Sequence, residues 1–169
     1  AALKSDFGRI NTVMAKAGYI PLPVRTGNEL NGELIDTPTA DKILPLLVDN
    51  NRNIVQIVGP GGSGKTSFAC EIGSWLLDRN NRRYTNNVQR IPYFLEKNTT
   101  NIVRVISEDL TAVLQKPVSR GLTNALLKRQ RLILFVDALS EMKQETIDYF
   151  QGIHGKTPVN SLLITGRNE

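Results

Sequence analysis

The amino-acid sequence predicts an α/β fold, a three-layer α/β/α arrangement around a parallel sheet of at least four strands. Three observations lead there. Short aliphatic and β-branched runs alternate along the chain with helical patterns, and such alternation is satisfied by parallel strands joined through helical crossovers. One run, NIVQIVG at 53–59, flows directly into the glycine-rich stretch GPGGSGKTS at 59–67. Another, LILFV at 132–136, is apolar throughout and stops at an acid, Asp137.

The chain has 169 residues, enough for one hydrophobic core of ordinary size and short for two full domains. Hydrophobic residues make up 40% of it and charged residues 22%, with no long apolar run, which argues against a disordered or membrane-spanning chain. No N-terminal stretch has the charged, apolar and small-residue order of a signal sequence. The single cysteine, Cys70, cannot form an internal disulfide and sits in a helical pattern, so it reads as a small buried hydrophobe in a reducing cytoplasm.

Residues 1–38 hold short apolar runs broken by Gly8, Gly18, Pro21, Pro23, Gly27, Gly32 and Pro38, and read as a lead-in of a short helix followed by extended or looping chain. The α/β core is assigned to 39–169. Its first element, ADKILPLLVDN at 40–50, suits a brief helix capped by Thr39 and bent or shortened by Pro45. NIVQIVG suits a strand buried on both faces. From Lys65 to Asp78, Phe68, Ile72, Trp75 and Leu76 recur at i, i+4, i+7 and i+8, an amphipathic helix. A polar stretch, 79–90, then leads to the strand IPYFLE, 91–96, whose Pro92 sits near the start, where a missing donor costs little.

Helices are expected at 101–115 and 119–129, with Pro117 and Gly121 marking the break between them. LILFVD is the third strand. SEMKQETIDYFQGI, 140–153, reads as a helix with Ser140 as candidate cap, and SLLITG, 161–166, as the fourth strand.

Within 59–67, Gly59, Gly64, Lys65 and Thr66 match the pattern G-x-x-x-x-G-K-[ST], and a strand before and a helix after are the context this pattern requires. The chemistry explains the residue types at Gly59, Pro60, Gly61, Gly62, Ser63, Gly64, Lys65, Thr66 and Ser67. Glycines let backbone N–H groups turn inward around phosphates, and the helix N-terminus adds partial positive charge. Lys65 is suited to bridge the β- and γ-phosphates of a nucleotide, and Thr66 to offer its hydroxyl to Mg²⁺. A purely structural glycine turn is the alternative, disfavoured by the strand–loop–helix context.

An aspartate at the end of an apolar strand is costly to bury without a partner, and Mg²⁺ at a neighbouring phosphate loop supplies one. Asp137 is therefore read, with Thr66, as a metal-positioning residue that acts through a coordinated water. The competing role is a turn residue capping the next helix. Glu141, at the expected start of that helix, is a candidate to polarise a water attacking the γ-phosphate, or else a solvent-facing glutamate favoured by the helix dipole.

LFVDALSE, 134–141, resembles the Walker B segment of NACHT-type P-loop NTPases of the STAND class. In that family a tiny residue follows the metal-positioning acid, and acids stand three and four positions after it. Ala138 matches the tiny residue and Glu141 the second acid, while Ser140 stands where the family has the first. QRIPYFLEK, 89–97, is similar to the family's second strand and SLLITGR, 161–167, to its sensor 1 strand, so the resemblance covers residues 50–167.

The resemblance implies a P-loop NTPase of the additional-strand class, with the sensor strand inserted between the P-loop strand and the Asp137 strand and a fifth strand flanking the P-loop strand. The sequence stops before such a fifth strand, so a piece of a larger protein is expected, with NIVQIV at a sheet edge. By the same resemblance Arg167 faces the γ-phosphate, where a guanidinium distinguishes triphosphate from diphosphate; a surface arginine is the competing reading. The implied function is a signalling switch that binds ATP (or ADP or dATP) with Mg²⁺, hydrolyses it slowly and controls self-oligomerisation. Its nucleotide is held between this domain and downstream helical, winged-helix and sensor domains.

Two other functions compete. A nucleotide-holding assembly module with little turnover gains weight from Ser140. A nucleic-acid-dependent AAA+-like ATPase is suggested by the net charge of +5 and by Arg79, Arg82 and Arg83, but no interleaved aromatics accompany these residues and a solvated loop is favoured. No N-K-x-D-like segment supports a GTPase. His154, the one histidine, lies between glycines and reads as an exposed loop residue.

Overall fold

Strands that are apolar from end to end must be paired on both edges and covered on both faces, and the fold meets both demands. The computed structural model describes residues 23–25, 34–36, 38–48, 53–78, 80–81, 88–152 and 159–167. In chain order these hold strands β1 (Val24–Arg25) and β2 (Leu34–Ile35), helix α1 (Ala40–Val48), strand β3 (Asn53–Val58), helix α2 (Lys65–Leu77) and strand β4 (Ile91–Leu95). Helices α3 (Ile102–Leu114) and α4 (Arg120–Lys128), strand β5 (Leu132–Val136), a 3₁₀ turn (Leu139–Glu141), helix α5 (Gln144–Gln151) and strand β6 (Ser161–Gly166) follow.

Four strands form one parallel sheet in the order β3-β6-β5-β4, and β1 pairs with β2 in a separate antiparallel ribbon. Every residue of the two central strands, β5 and β6, is buried. The expectation that β3 is buried on both faces is corrected: as an edge strand it leaves Gln56 and Val58 exposed on one face, and β4, the other edge, is partly buried. The last strand thus lies between the strand that feeds the glycine loop and the strand that ends at Asp137, the order implied by the family resemblance.

Side-chain alternation along β5 divides the core between the two faces of the sheet. Ile133 and Phe135, with Leu163 of β6, pack against Ile43, Leu44 and Leu47 of α1 and Phe68, Ala69 and Ile72 of α2. Leu132, Leu134 and Val136, with Leu162 and Ile164, pack against Ile102, Val105 and Ile106 of α3, Leu127 of α4 and Phe150 of α5. Helices therefore cover both faces, an arrangement compatible with three layers. Phe135 stacks on Phe94 at 4.8 Å between ring centroids, joining β5 to β4. Fully burying each such side chain contributes about 1.5–3 kcal/mol.

Local chemistry sets the ends of the elements. The Thr39 carbonyl accepts the Lys42 and Ile43 amides, so Thr39 opens α1 as expected. Pro45 lies inside α1 on an exposed position, and the helix continues past it to Val48. One carbonyl near the end of α1, that of Leu47, accepts the buried Ser161 hydroxyl at 2.7 Å, which ties the helix to β6. Asn101 caps α3 by accepting the Arg104 amide, and Ser119 caps α4 by accepting the Leu122 amide. The break between these helices is made by Gln115, in the left-handed conformation at φ 52°, and by the Ser119 cap; Gly121 lies in the first turn of α4 instead. Asp109 of α3 accepts both the Tyr93 hydroxyl and the Lys97 ammonium, which fastens α3 to the edge strand β4.

The start of the helix after Asp137 also needs correction. The helix expected from Ser140 begins at Gln144, and Ser140 caps nothing there, because Leu139–Glu141 form a separate 3₁₀ turn. Ala138 in the left-handed region starts that turn, and Met142 and Lys143 are extended after it. The Lys143 amide is drawn to Asn98 Oδ1 at 2.7 Å, which holds the extended link in place. Glu141 therefore ends a turn rather than starting a helix, and the helix-dipole argument for it falls.

The short helix expected in the lead-in lies outside the described residues, as do Arg79, Arg82, Arg83 and His154. Among the described residues no helix is long and apolar enough to cross a membrane.

Candidate functional site

Because all four sheet strands are parallel, their C-terminal tips share one end, the end at which open α/β sheets bind ligands. Val58 pairs with Gly166 and Val136 with Ile164, so the glycine loop after β3, Asp137 after β5 and the Thr165–Arg167 end of β6 come side by side. Residues far apart in sequence are gathered by register alone.

The loop has the backbone that its glycines permit. Gly62 and Gly64 have φ of +76° and +80°, in the region where a side chain is strained, although no heavy atom would lie within 4 Å of an added Cβ at either. Backbone conformation rather than crowding selects glycine at both. Gly64 occupies the N-cap position of α2, and no side chain caps that helix, whose first amides thus face the loop without a side-chain acceptor. Gly59 is buried at the end of β3, Pro60, Gly61 and Gly62 are exposed, and Ser63, Gly64, Lys65, Thr66 and Ser67 are half-buried.

Lys65 folds back over this loop. Its ammonium donates to the Gly59 carbonyl at 2.9 Å, the Pro60 carbonyl at 2.8 Å and Ser63 Oγ at 3.3 Å. Neutral acceptors of this kind hold the ammonium less tightly than a phosphate oxygen would.

In the first turn of α2, the Thr66 hydroxyl donates to Asp137 Oδ2 at 2.7 Å across 71 residues of sequence. The other carboxylate oxygen, Oδ1, accepts the hydroxyl of Thr165, and Thr165 Oγ1 in turn accepts the Ala138 amide at 2.8 Å. Both oxygens of Asp137 are thus fixed by threonine hydroxyls from neighbouring elements. Ala138 adopts φ 50° and ψ 46°, the left-handed conformation, which explains a small residue here: a β-branched side chain is strongly disfavoured at positive φ.

Beneath the site, Cys70 lies one turn beyond Thr66 and is buried. Burial, and secondarily the charge of Asp137, push its thiol up to about 11, so it stays protonated and inert at neutral pH.

The remaining two predicted residues meet each other. Arg167 donates from a guanidinium nitrogen to Glu141 Oε1 at 2.6 Å, and its backbone amide reaches Ser140 Oγ at 3.4 Å. Both side chains of this ion pair are more than half exposed, 58% for Arg167 and 57% for Glu141, so it contributes little to stability. The sequence readings aimed each of them separately at a phosphate; in the structure they are tied to each other.

Thr66 Oγ1 and the Asp137 carboxylate are the oxygens that can serve a hard divalent cation. Among the described residues no three of His, Cys, Asp and Glu gather into a metal cage. A cation held by these two residues would complete its shell with oxygens from water or a ligand, the way Mg²⁺ is commonly bound. The donor set fits Mg²⁺ on that ground.

Thr165 is the member of the site that sequence reasoning missed. Its one signal is a polar side chain near the end of an otherwise apolar strand, SLLITG, and a β-branched threonine there is equally explained by strand propensity. Comparison with protein-family profiles and with curated proteins finds no match to this chain.

Proposed function

We propose that the chain is an ATP-binding, slowly hydrolysing regulatory module of the P-loop NTPase class, with the additional-strand order and a NACHT-like site. The observation that carries this reading is the meeting of Lys65, Thr66 and Asp137 at the strand tips, with the Thr66 hydroxyl 2.7 Å from Asp137 Oδ2. The sheet order β3-β6-β5-β4 supports it as well.

In this reading the Lys65 ammonium leaves the Gly59 and Pro60 carbonyls for the charged oxygens of the β- and γ-phosphates. The loop amides and the uncapped start of α2 surround the same phosphates. Thr66 and Asp137 would hold Mg²⁺ there: the threonine oxygen has lone pairs free for the cation while its O–H still donates to Asp137, and the carboxylate can accept from a coordinated water. When bound, Mg²⁺ neutralises the phosphates and polarises the terminal phosphoryl group. Glu141 accepts the proton of a water that attacks the γ-phosphorus once Arg167 turns from it to the γ-phosphate; the bond to the β-phosphate oxygen breaks, ADP leaves, and the guanidinium stabilises the charge that develops.

A second reading, a module that holds nucleotide with little turnover, is favoured by one observation: Glu141 is engaged by Arg167. The steady-state ATPase rate of the protein and of Glu141→Gln separates the two. A drop of about 10²-fold or more supports hydrolysis with Glu141 as base, within the range typical of acid–base catalysis. Equal, near-zero rates with ATP still bound support the holding module.

A further inference from the structure

We propose that Thr165 is a positioning residue for Asp137, setting the carboxylate so that it receives a divalent cation beside Thr66; the inference rests on the nucleotide reading above. The hydrogen-bond arithmetic leaves little freedom. Thr165 Oγ1 accepts the Ala138 amide at 2.8 Å, so the amide proton occupies one side of the oxygen. The one proton of the hydroxyl goes to Asp137 Oδ1, a carboxylate oxygen that can only accept. Thr66 supplies the matching proton to Oδ2. The carboxylate plane is thereby fixed at both oxygens, and each keeps lone pairs for a metal-bound water.

Thr165 itself has 1% of its surface exposed and lies behind Asp137, so it is placed to orient the acid rather than to touch the ligand. It also does a second task with the same atom. The Ala138 amide it receives belongs to the left-handed residue that turns the chain after β5, so one hydroxyl sets both the acid and the start of the turn that carries Ser140 and Glu141. Serine keeps the hydroxyl and its geometry; valine keeps the shape and loses both hydrogen bonds.

The test measures ATP affinity in EDTA and during Mg²⁺ titration for the wild type, Thr165→Val and Thr165→Ser. Thr165→Val is expected to bind ATP in EDTA within about twofold of the wild type and to need about 10–100-fold more Mg²⁺ for half of the Mg²⁺-dependent gain, the range seen when groups that orient metal ligands are removed. Thr165→Ser is expected to restore the wild-type requirement within about threefold. A folded Thr165→Val with an unchanged Mg²⁺ requirement overturns the inference and leaves the nucleotide reading intact. A wild type with no Mg²⁺-dependent gain overturns the nucleotide reading and the inference with it. Should Thr165→Val fail to fold, NMR of the wild type decides: a slowly exchanging Thr165 hydroxyl proton with a cross-peak to the Ala138 amide, shifting when Mg²⁺ and ATP are added together, supports the role. A hydroxyl that exchanges freely with water, or does not shift, refutes it.

Discussion

Replacing Asp137 with asparagine separates what the acid does for the fold from what it does for a cation. In the structure its two oxygens accept hydroxyl protons from Thr66 and Thr165. Hydrogen bonds to a charged acceptor contribute about 1.5–3 kcal/mol each and neutral ones about 0.5–1.5, so neutralising the acceptor costs about 2–3 kcal/mol over the pair. Against this, the half-buried carboxylate no longer has to be desolvated, a penalty of comparable size for a polar group of this kind. An asparagine also fits the pattern, with its carbonyl toward Thr165 and its amide toward the Thr66 oxygen, which can accept. Asp137→Asn is therefore expected to keep stability in EDTA within about 1 kcal/mol of the wild type.

The cation tells a different story. A metal-bound water loses a charged acceptor, about 1.5–3 kcal/mol, or about 10–150-fold in the Mg²⁺-dependent part of ATP affinity. Urea unfolding in EDTA gives the first quantity, and ATP titrations with and without Mg²⁺ give the second. A variant destabilised by more than about 3 kcal/mol in EDTA, yet with the full Mg²⁺ effect, would show that Asp137 is a structural turn residue and refute the reasoning.

Ala138 and Cys70 give the further outcomes. Ala138 stands at φ 50°, so Ala138→Gly is expected to be neutral or to stabilise by up to about 1 kcal/mol, and Ala138→Val to destabilise by about 1–3 kcal/mol, both read from urea midpoints. Cys70 has its thiol raised from 9.0 to about 11 in the folded protein, so the stability its burial confers is complete below pH 9 and is lost as the pH rises through 11; Cys70→Ala should flatten that part of the stability curve. At pH 8 the same shift leaves about 100-fold less thiolate than in an open chain, and a thiol reagent should label the native protein correspondingly slowly.

The sheet strands and principal helices were legible because apolar runs and amphipathic periods are local signals. NIVQIV, IPYFL, LILFV and SLLITG all became strands of one parallel sheet. The loop at 59–66 was legible for the same reason, since its glycines, lysine and threonine lie within one short window, and positive φ angles at Gly62 and Gly64 demand glycine there. The turn after Asp137 was misread as helix: the polar residues from Ser140 onward fit a capped helix, and the competing bond from Lys143 to Asn98 crosses 45 residues. Thr165 was invisible for a related reason. Its role depends on the register of β5 against β6, which aligns Val136 with Ile164 and so brings Thr165 beside Asp137, and no local pattern encodes that register. The Arg167–Glu141 pair likewise joins two residues each assigned alone.

The central claim is that Lys65 and its loop hold the phosphates of a nucleotide. Isothermal titration of ATP with Mg²⁺ into the protein and into Lys65→Ala, with both shown to be folded, tests it most directly. Loss of charge-assisted contacts of about 1.5–3 kcal/mol predicts binding to the wild type that weakens by about 10–150-fold in the variant. Equal affinities, or no heat of binding to the folded wild type, would contradict it.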